Sequence, residues 1–202
     1  SYLQSDGNVK KISTHITKKV ADKLAAMFKN DRKDFESKWE DLKIFVQYGT
    51  LSDDKFAEKS EKFTLVKNTK GEFATIEEYK SKIEVLQKDK DEKLIILYTN
   101  NPEEQFGFVK KANDRGYDVL HLDGPLAPHW IAKMEQSNEN VQFARVDADT
   151  LDKLIQKDEE IPSKLTQEDE DKLKPMFENV VNKEKFTVQF ESMNADDAPV
   201  II

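Results

Sequence analysis

Residues 94–98 read Leu-Ile-Ile-Leu-Tyr, an unbroken apolar run inside a chain that is 36% Asp, Glu, Lys and Arg. In so charged a chain a run of this length has to be hidden from water on both sides. That is the pattern of a central strand covered by helices above and below, where a half-exposed strand would alternate. Two more strand-like runs follow, at 117–122 and 141–146. Between the first two, Asn101 stands as an N-cap, Pro102 occupies the first helical position and Gly116 falls just past the end. Between the second and third come the turn Asp123-Gly124-Pro125 and a helix over about 128–136. Strand, helix, strand, helix, strand predicts a small parallel βαβαβ sheet.

The residues before this unit have the other period. Val9, Ile12, Ile16, Val20, Leu24 and Met27 recur at steps of three and four, one face of a long amphipathic helix. Phe35, Trp39, Leu42 and Val46 form a second stripe, with Gly49 expected to end it, and Ser52-Asp53-Asp54 opens a shorter helix carrying Phe56. Phe63 to Val66 reads as an irregular apolar segment. Thr75 and Glu78 have capping-box spacing ahead of Ile76, Tyr79, Ile83 and Leu86. Short connections make such helices antiparallel neighbours, so a helical bundle is expected. After the sheet unit, acidic residues dominate 157–171 around Pro162. A helix over about 166–181, kinked at Pro175, and an alternating strand through Phe186, Val188 and Phe190 follow. The expected divisions are a helical part at 1–86, an αβα unit at 87–157, and a linker with the start of a further domain at 158–202. The fold class is α/β: a helical coil or bundle, then a small three-layer αβα unit with a parallel sheet, then the first helix and strand of a truncated domain.

Charge and composition narrow the function. A net charge of -8 opposes a nucleic-acid binder, which needs a basic face to neutralise phosphates. No apolar run approaches the ~20 residues of a membrane-spanning helix. The absence of cysteine removes disulfides and thiolate chemistry and suits a reducing compartment. The six glycines make no G-x-G-x-x-G and no P-loop, so the sheet has no recognisable phosphate cradle. His121, Asp123 and His129 contain metal-ligating groups, but their spacing matches no standard zinc site; no metal is expected. Glu168-Asp169-Glu170-Asp171 lacks the turn glycine of a calcium loop and reads as a solvated first helical turn. The chain opens without Met or a signal-peptide pattern and closes on Pro199-Val200-Ile201-Ile202, so both ends are expected to be cut from something longer.

Specific motifs then enter. Tyr2-Leu3-Gln4-Ser5-Asp6-Gly7-Asn8-Val9-Lys10-Lys11-Ile12 resembles the heat-shock protein 90 segment in which an S-R-x-x-L-Q motif leads into a long helix. Ile16-Thr17-Lys18-Lys19-Val20-Ala21-Asp22-Lys23-Leu24 is similar to that family's helix with paired lysines. Thr75-Ile76-Glu77-Glu78-Tyr79, Gly116-Tyr117-Asp118-Val119-Leu120 and Asp197-Ala198-Pro199 follow in family order. Two turns depart from the family pattern: Pro125-Leu126-Ala127-Pro128-His129-Trp130 replaces an acidic pair followed by an aromatic, and Thr99-Asn100-Asn101-Pro102 replaces a Gly-Glu-Ser type turn. The resemblance implies the later part of the middle domain and the start of the C-terminal domain, with the bacterial form, HtpG, the nearest type.

What the resemblance implies about function is an ATP-dependent chaperone, a cytoplasmic heat-shock protein of the stress response that assists folding of client proteins. ATP and Mg2+ would be bound mainly by a separate N-terminal domain, and the parent would form a homodimer through a C-terminal region outside this chain. This piece would couple the ATPase domain to the client-contact and dimerisation regions. The family's middle domain offers the γ-phosphate an arginine assisted by a glutamine; here the glutamine is Gln4, and the arginine would stand just before Ser1. His129 and Trp130 are the client-binding candidates. Trp130 has two readings, an exposed anchor or a core residue packed on Leu122 and Val146. Two other classes stand beside the chaperone: a non-catalytic scaffold or adaptor, and a small enzyme binding a nucleotide near Thr99 and Asp123. With neither phosphate loop nor motif arginine, the isolated chain is expected to hydrolyse no ATP. Turnover above a no-protein control that responds to a mutation within the chain would overturn this.

Overall fold

The computed structural model describes residues 7–157, 165–181, 185–190, 192 and 200. The chain divides into two compact units, Ser1–Ile155 and Gln156–Ile202. The first unit opens with four helices, α1 (Gly7–Asn30), α2 (Arg32–Ser37), α3 (Trp39–Ser52) and α4 (Asp54–Ser60). A hairpin of β1 (Leu65–Lys67) and β2 (Phe73–Thr75) runs into α5 (Ile76–Ile83). Then come β3 (Leu94–Thr99), α6 (Phe106–Asp114), β4 (Val119–His121), α7 (Ala127–Ser137), β5 (Val141–Arg145) and α8 (Leu151–Leu154). The second unit contains α9 (Gln167–Glu178).

The helical part packs around aromatic rings. Phe35, Trp39, Val46, Phe56 and Phe63 are buried together with Leu24 of α1, and Phe63 meets Phe35 and Phe56 edge-on at 6.3 Å each. This edge-to-face geometry suits the ring quadrupoles. The second apolar stripe is split between α2 and α3 at Lys38, whose N–H donates to Phe35 and Glu36 carbonyls. Gly49 does not end the helix as expected; α3 runs on to Ser52. The glycine serves a close approach instead, because a Cβ there would lie 2.6 Å from the Phe56 ring. Along α1 the stripe finds a partner only in the later turns, and Ile12, Ile16 and Val20 are exposed.

The apolar run at 94–98 is the central strand, as its composition requires. The sheet order is β4-β3-β5, with both neighbours parallel to β3. Alternation sorts its side chains. Leu94 and Ile96 face α5 and α7, joined by Ile83, Leu120, Trp130 and Phe143. Ile95 and Leu97 face α6 and α8, joined by Val109, Val119, Val146 and Leu151. Two covered faces make the three-layer αβα unit. The β1–β2 hairpin was not expected where the sequence reads as irregular. It is antiparallel, with Val66 opposite Ala74, and its turn is tied to the sheet by the Thr69 N–H on the Val119 carbonyl at 2.9 Å.

Local chemistry sets the helix ends. Thr75 and Glu78 form the expected capping box. Gly116, at φ 79, takes the left-handed position after α6. That helix starts at Phe106, later than expected, because Asn101 Oδ1 accepts the Glu103 and Glu104 N–H groups at 3.2 and 3.3 Å and caps a preceding turn. In the second unit Thr166 and Asp169 cap α9 reciprocally, and Phe177 meets Phe190 at 6.1 Å. The expected strand through Phe186 and Phe190 is not formed: residues 185–190 are without ladder pairing, and alternation alone makes no strand without a neighbour to exchange hydrogen bonds with. Pro162 lies outside the described residues.

Arg32 clamps the opening helices to α5, the helix that covers one face of the sheet. Its guanidinium donates to both Glu78 oxygens at 2.6 and 2.7 Å and to Glu36 at 2.9 Å, the fork geometry that lysine cannot copy. Hydrogen bonding from Arg32 holds the Glu78 carboxyl down at about 2, against an ordinary 4.5. A depressed carboxylate contributes stability above its unfolded value and loses it as pH falls through the folded one. The melting temperature is therefore expected to drop between about pH 4.5 and 2, and Glu78→Gln should flatten that part of the profile. An identical acid limb in the variant would exclude the clamp as its source.

Candidate functional site

The ends of β3, β4 and β5 are where an α/β sheet presents its loops, and the strand order β4-β3-β5 reverses between β3 and β5, the topological switch point. At the β3 end the Thr99 hydroxyl donates to Gln105 Oε1. Gln105 also hydrogen-bonds Asp147, and Asp147 takes the Arg145 guanidinium. The loops after β3 and β5 thus close on each other with their own side chains.

At the β4 end a shallow cleft lies between α3, β1 and the β4–α7 turn, with Trp39, Gln47 and Trp130 along it. Lys43 of α3 bridges it, 2.6 Å from Asp123 and 2.9 Å from Glu40, and Lys67 of β1 reaches Glu40 at 3.4 Å. Burial pushes the Lys43 ammonium down, but hydrogen bonds to Asp123 and Glu40 outweigh it and hold it above its usual range. Burial likewise pushes Asp123 up, and the Lys43 hydrogen bond brings it below its usual range. His121 Nε2 stands 3.9 Å from Asp123 Oδ2. Every carboxylate of the cleft therefore has a cation beside it. The two groups a nucleotide phosphate would meet, Thr99 and Asp123, are already engaged, Thr99 as a donor and Asp123 as an anion. Sequence reasoning missed Glu40, Lys43 and Lys67, because ion pairs between distant segments leave no local pattern.

The residues singled out in the sequence separate as follows. His121 and Asp123 come together, while among the described residues no three His, Cys, Asp or Glu side chains form a metal-holding group. Glu168, Asp169 and Glu170 sit in the first turn of α9, where Asp169 caps the helix. Gln4 lies outside the described residues. His129 is exposed at the start of α7. Trp130 is not: it is 2% exposed, which favours the core reading over the surface anchor. Its ring packs edge-on against Phe143 at 6.1 Å in the layer with Leu122. Val146 is on the opposite face of the sheet, so the core reading holds with Leu122 as a partner and not with Val146. Helical period explains the burial, since Trp130 and Ala127 share the inward face three residues apart.

This arrangement, a helical part followed by a small covered parallel sheet, resembles the fold of a heat-shock protein middle domain. The solved middle domain of a Plasmodium falciparum putative heat shock protein superposes with a TM-score of 0.54, covering 72% of this chain and 61% of that one at 12% identity. No family model matches the chain. Among curated proteins, chaperone protein HtpG of Porphyromonas gingivalis is 46% identical over the whole of this chain. That of Bacteroides thetaiotaomicron is 45% identical over the same extent, and that of Bacillus subtilis 24% identical over 89% of it. The chain belongs to the heat-shock protein 90 family, in its bacterial HtpG form. It spans 30% of the length of the Porphyromonas and Bacteroides relatives.

Truncating Trp130 to Ala is expected to cost ~3–5 kcal/mol, as for a buried aromatic. A surface residue would cost less than ~1 kcal/mol. Chemical denaturation of the wild type and variant decides between these, and a loss in the lower range would contradict the burial.

Proposed function

We propose that this chain is the part of an ATP-dependent chaperone that links its ATPase domain to the regions contacting client proteins and joining the homodimer. The observation that carries the reading is likeness to HtpG chaperones over the entire chain, at 46% identity. ATP and Mg2+ are held in this reading by an N-terminal domain of the parent, with the chaperone working in the cytoplasm. Gln4 is this chain's contribution to the γ-phosphate, beside an arginine supplied by the residue before Ser1. Client contact at α7 falls to exposed His129 and its turn, since Trp130 is core.

The ion pairs described above suit a linking role. Arg32–Glu78 ties α2 to α5 over the sheet, Lys43–Asp123 ties α3 to the β4–α7 turn, and Lys133 of α7 adds a third tie to Asp54 of α4 at 2.9 Å. Exposed pairs of this kind contribute little individually, but they fix the orientation of one part on the other.

In the full-length parent, Gln4→Ala is expected to lower ATP turnover without changing thermal stability, because contacts to a transferring phosphoryl group act mainly in the transition state. Turnover equal to wild type would remove Gln4 from the role. A parent without any ATPase activity would remove the chaperone reading itself.

A further inference from the structure

Helix α3 is built against its own composition. It buries Gln47 and Thr50, polar side chains, while Phe45 is 72% and Tyr48 65% exposed. Ile44 beside them is exposed too. The inward face is closed: Trp39 and Val46 lie in the aromatic core, and Thr50 is satisfied by the Val46 carbonyl at 2.8 Å and the Ser60 hydroxyl at 3.1 Å. Nothing about packing the unit therefore requires apolar residues at 44, 45 and 48. Their spacing, with Asp41 one turn earlier, puts all four on one outward strip of the helix. An exposed apolar strip with a polar rim is the mark of an interaction surface, and Phe and Tyr supply large contact area at little rotamer cost.

The charges decide what the strip fits. The lysines nearest in sequence are already spent: Lys38 is 2.6 Å from Asp34, and Lys43 bridges Glu40 and Asp123. Asp41 is exposed, and no ion pair to it is present among the described residues. The strip thus offers, among apolar side chains, one carboxylate with no ion pair among the described residues, and the complementary ligand places a Lys or Arg between apolar groups.

We propose that the outward strip of α3, made by Asp41, Ile44, Phe45 and Tyr48, docks a segment of another protein chain that combines apolar and basic side chains. This deepens the chaperone reading by giving the chemistry of a segment such a piece would hold, and it rests on that reading only for the identity of the partner. The strip stands on a helix packed into the core, so docking costs little ordering of the protein side.

The test measures fluorescence anisotropy of a short labelled peptide alternating Lys and Leu, against its Glu–Leu and Lys–Ser counterparts, with the full 202-residue chain. The Lys–Leu peptide is expected to bind roughly tenfold tighter than either counterpart, a difference typical of one good anchor. Phe45→Ser with Tyr48→Ser should abolish that preference, and Asp41→Lys should transfer it to the Glu–Leu peptide. The buried Trp39 and Trp130 report that each variant is folded through an unchanged fluorescence melt. Equal binding of all three peptides, or wild-type binding by the Phe45, Tyr48 double variant, overturns the proposal. So does a dimer by light scattering that the double variant dissolves, since a second copy would then be the occupant. Each of these failures leaves the ATPase of the parent untouched, and loss of that ATPase leaves the peptide result untouched.

Discussion

Taking a carboxylate out of water costs several kcal/mol unless hydrogen bonds and opposite charges replace the lost hydration. Asp118, almost fully buried at the entrance to β4, meets that demand with groups from the hairpin turn and from α5. Asn68 of the hairpin donates at 3.1 and 3.2 Å, Lys82 of α5 at 3.3 Å, and Lys70 stands at 3.6 Å. The Asp118 N–H donates to Gln87 Oε1 at 2.6 Å, and Gln87 in turn donates to the Ile95 carbonyl of β3 at 2.9 Å. One acid thus fixes hairpin, helix and two strands relative to one another. Removing it would leave two lysines and an amide without their shared acceptor.

The sequence read well where a rule is local. The apolar run at 94–98, the capping box at Thr75 and Glu78 and the glycine after α6 each state their structure within a few residues. It read poorly where the reason is tertiary. Gly49 looks like a stop signal, and only the Phe56 ring against its backbone shows otherwise. The β1–β2 hairpin has three-residue strands, too short for alternation to stand out, and it is held by bonds to β4 and by Asp118.

The candidate site divides in the same way. A contiguous motif singled out Gln4, which lies outside the described residues, whereas the burial of Trp130 depended on which side of α7 meets the sheet. Periodicity alone contained that answer in part, because Ala127 and Trp130 share a face, but the departure of the preceding turn from the family pattern obscured it. The cleft cations and the outward strip of α3 were invisible for opposite reasons. Lys43 and Asp123 are 80 residues apart, and the strip lies on the face of α3 away from its inward stripe, where helical period predicts only solvent.

Strand β1 puts neighbouring side chains into different interiors: Leu65 belongs to the aromatic core of the helices and Val66 to the core over the sheet. A strand flips direction at every residue, so three residues suffice to straddle both. Neither interior can therefore loosen without pulling on the other through a single covalent step. In mechanical terms β1 is a shared joint, a strand on which a load on the helices and a load on the sheet would both bear.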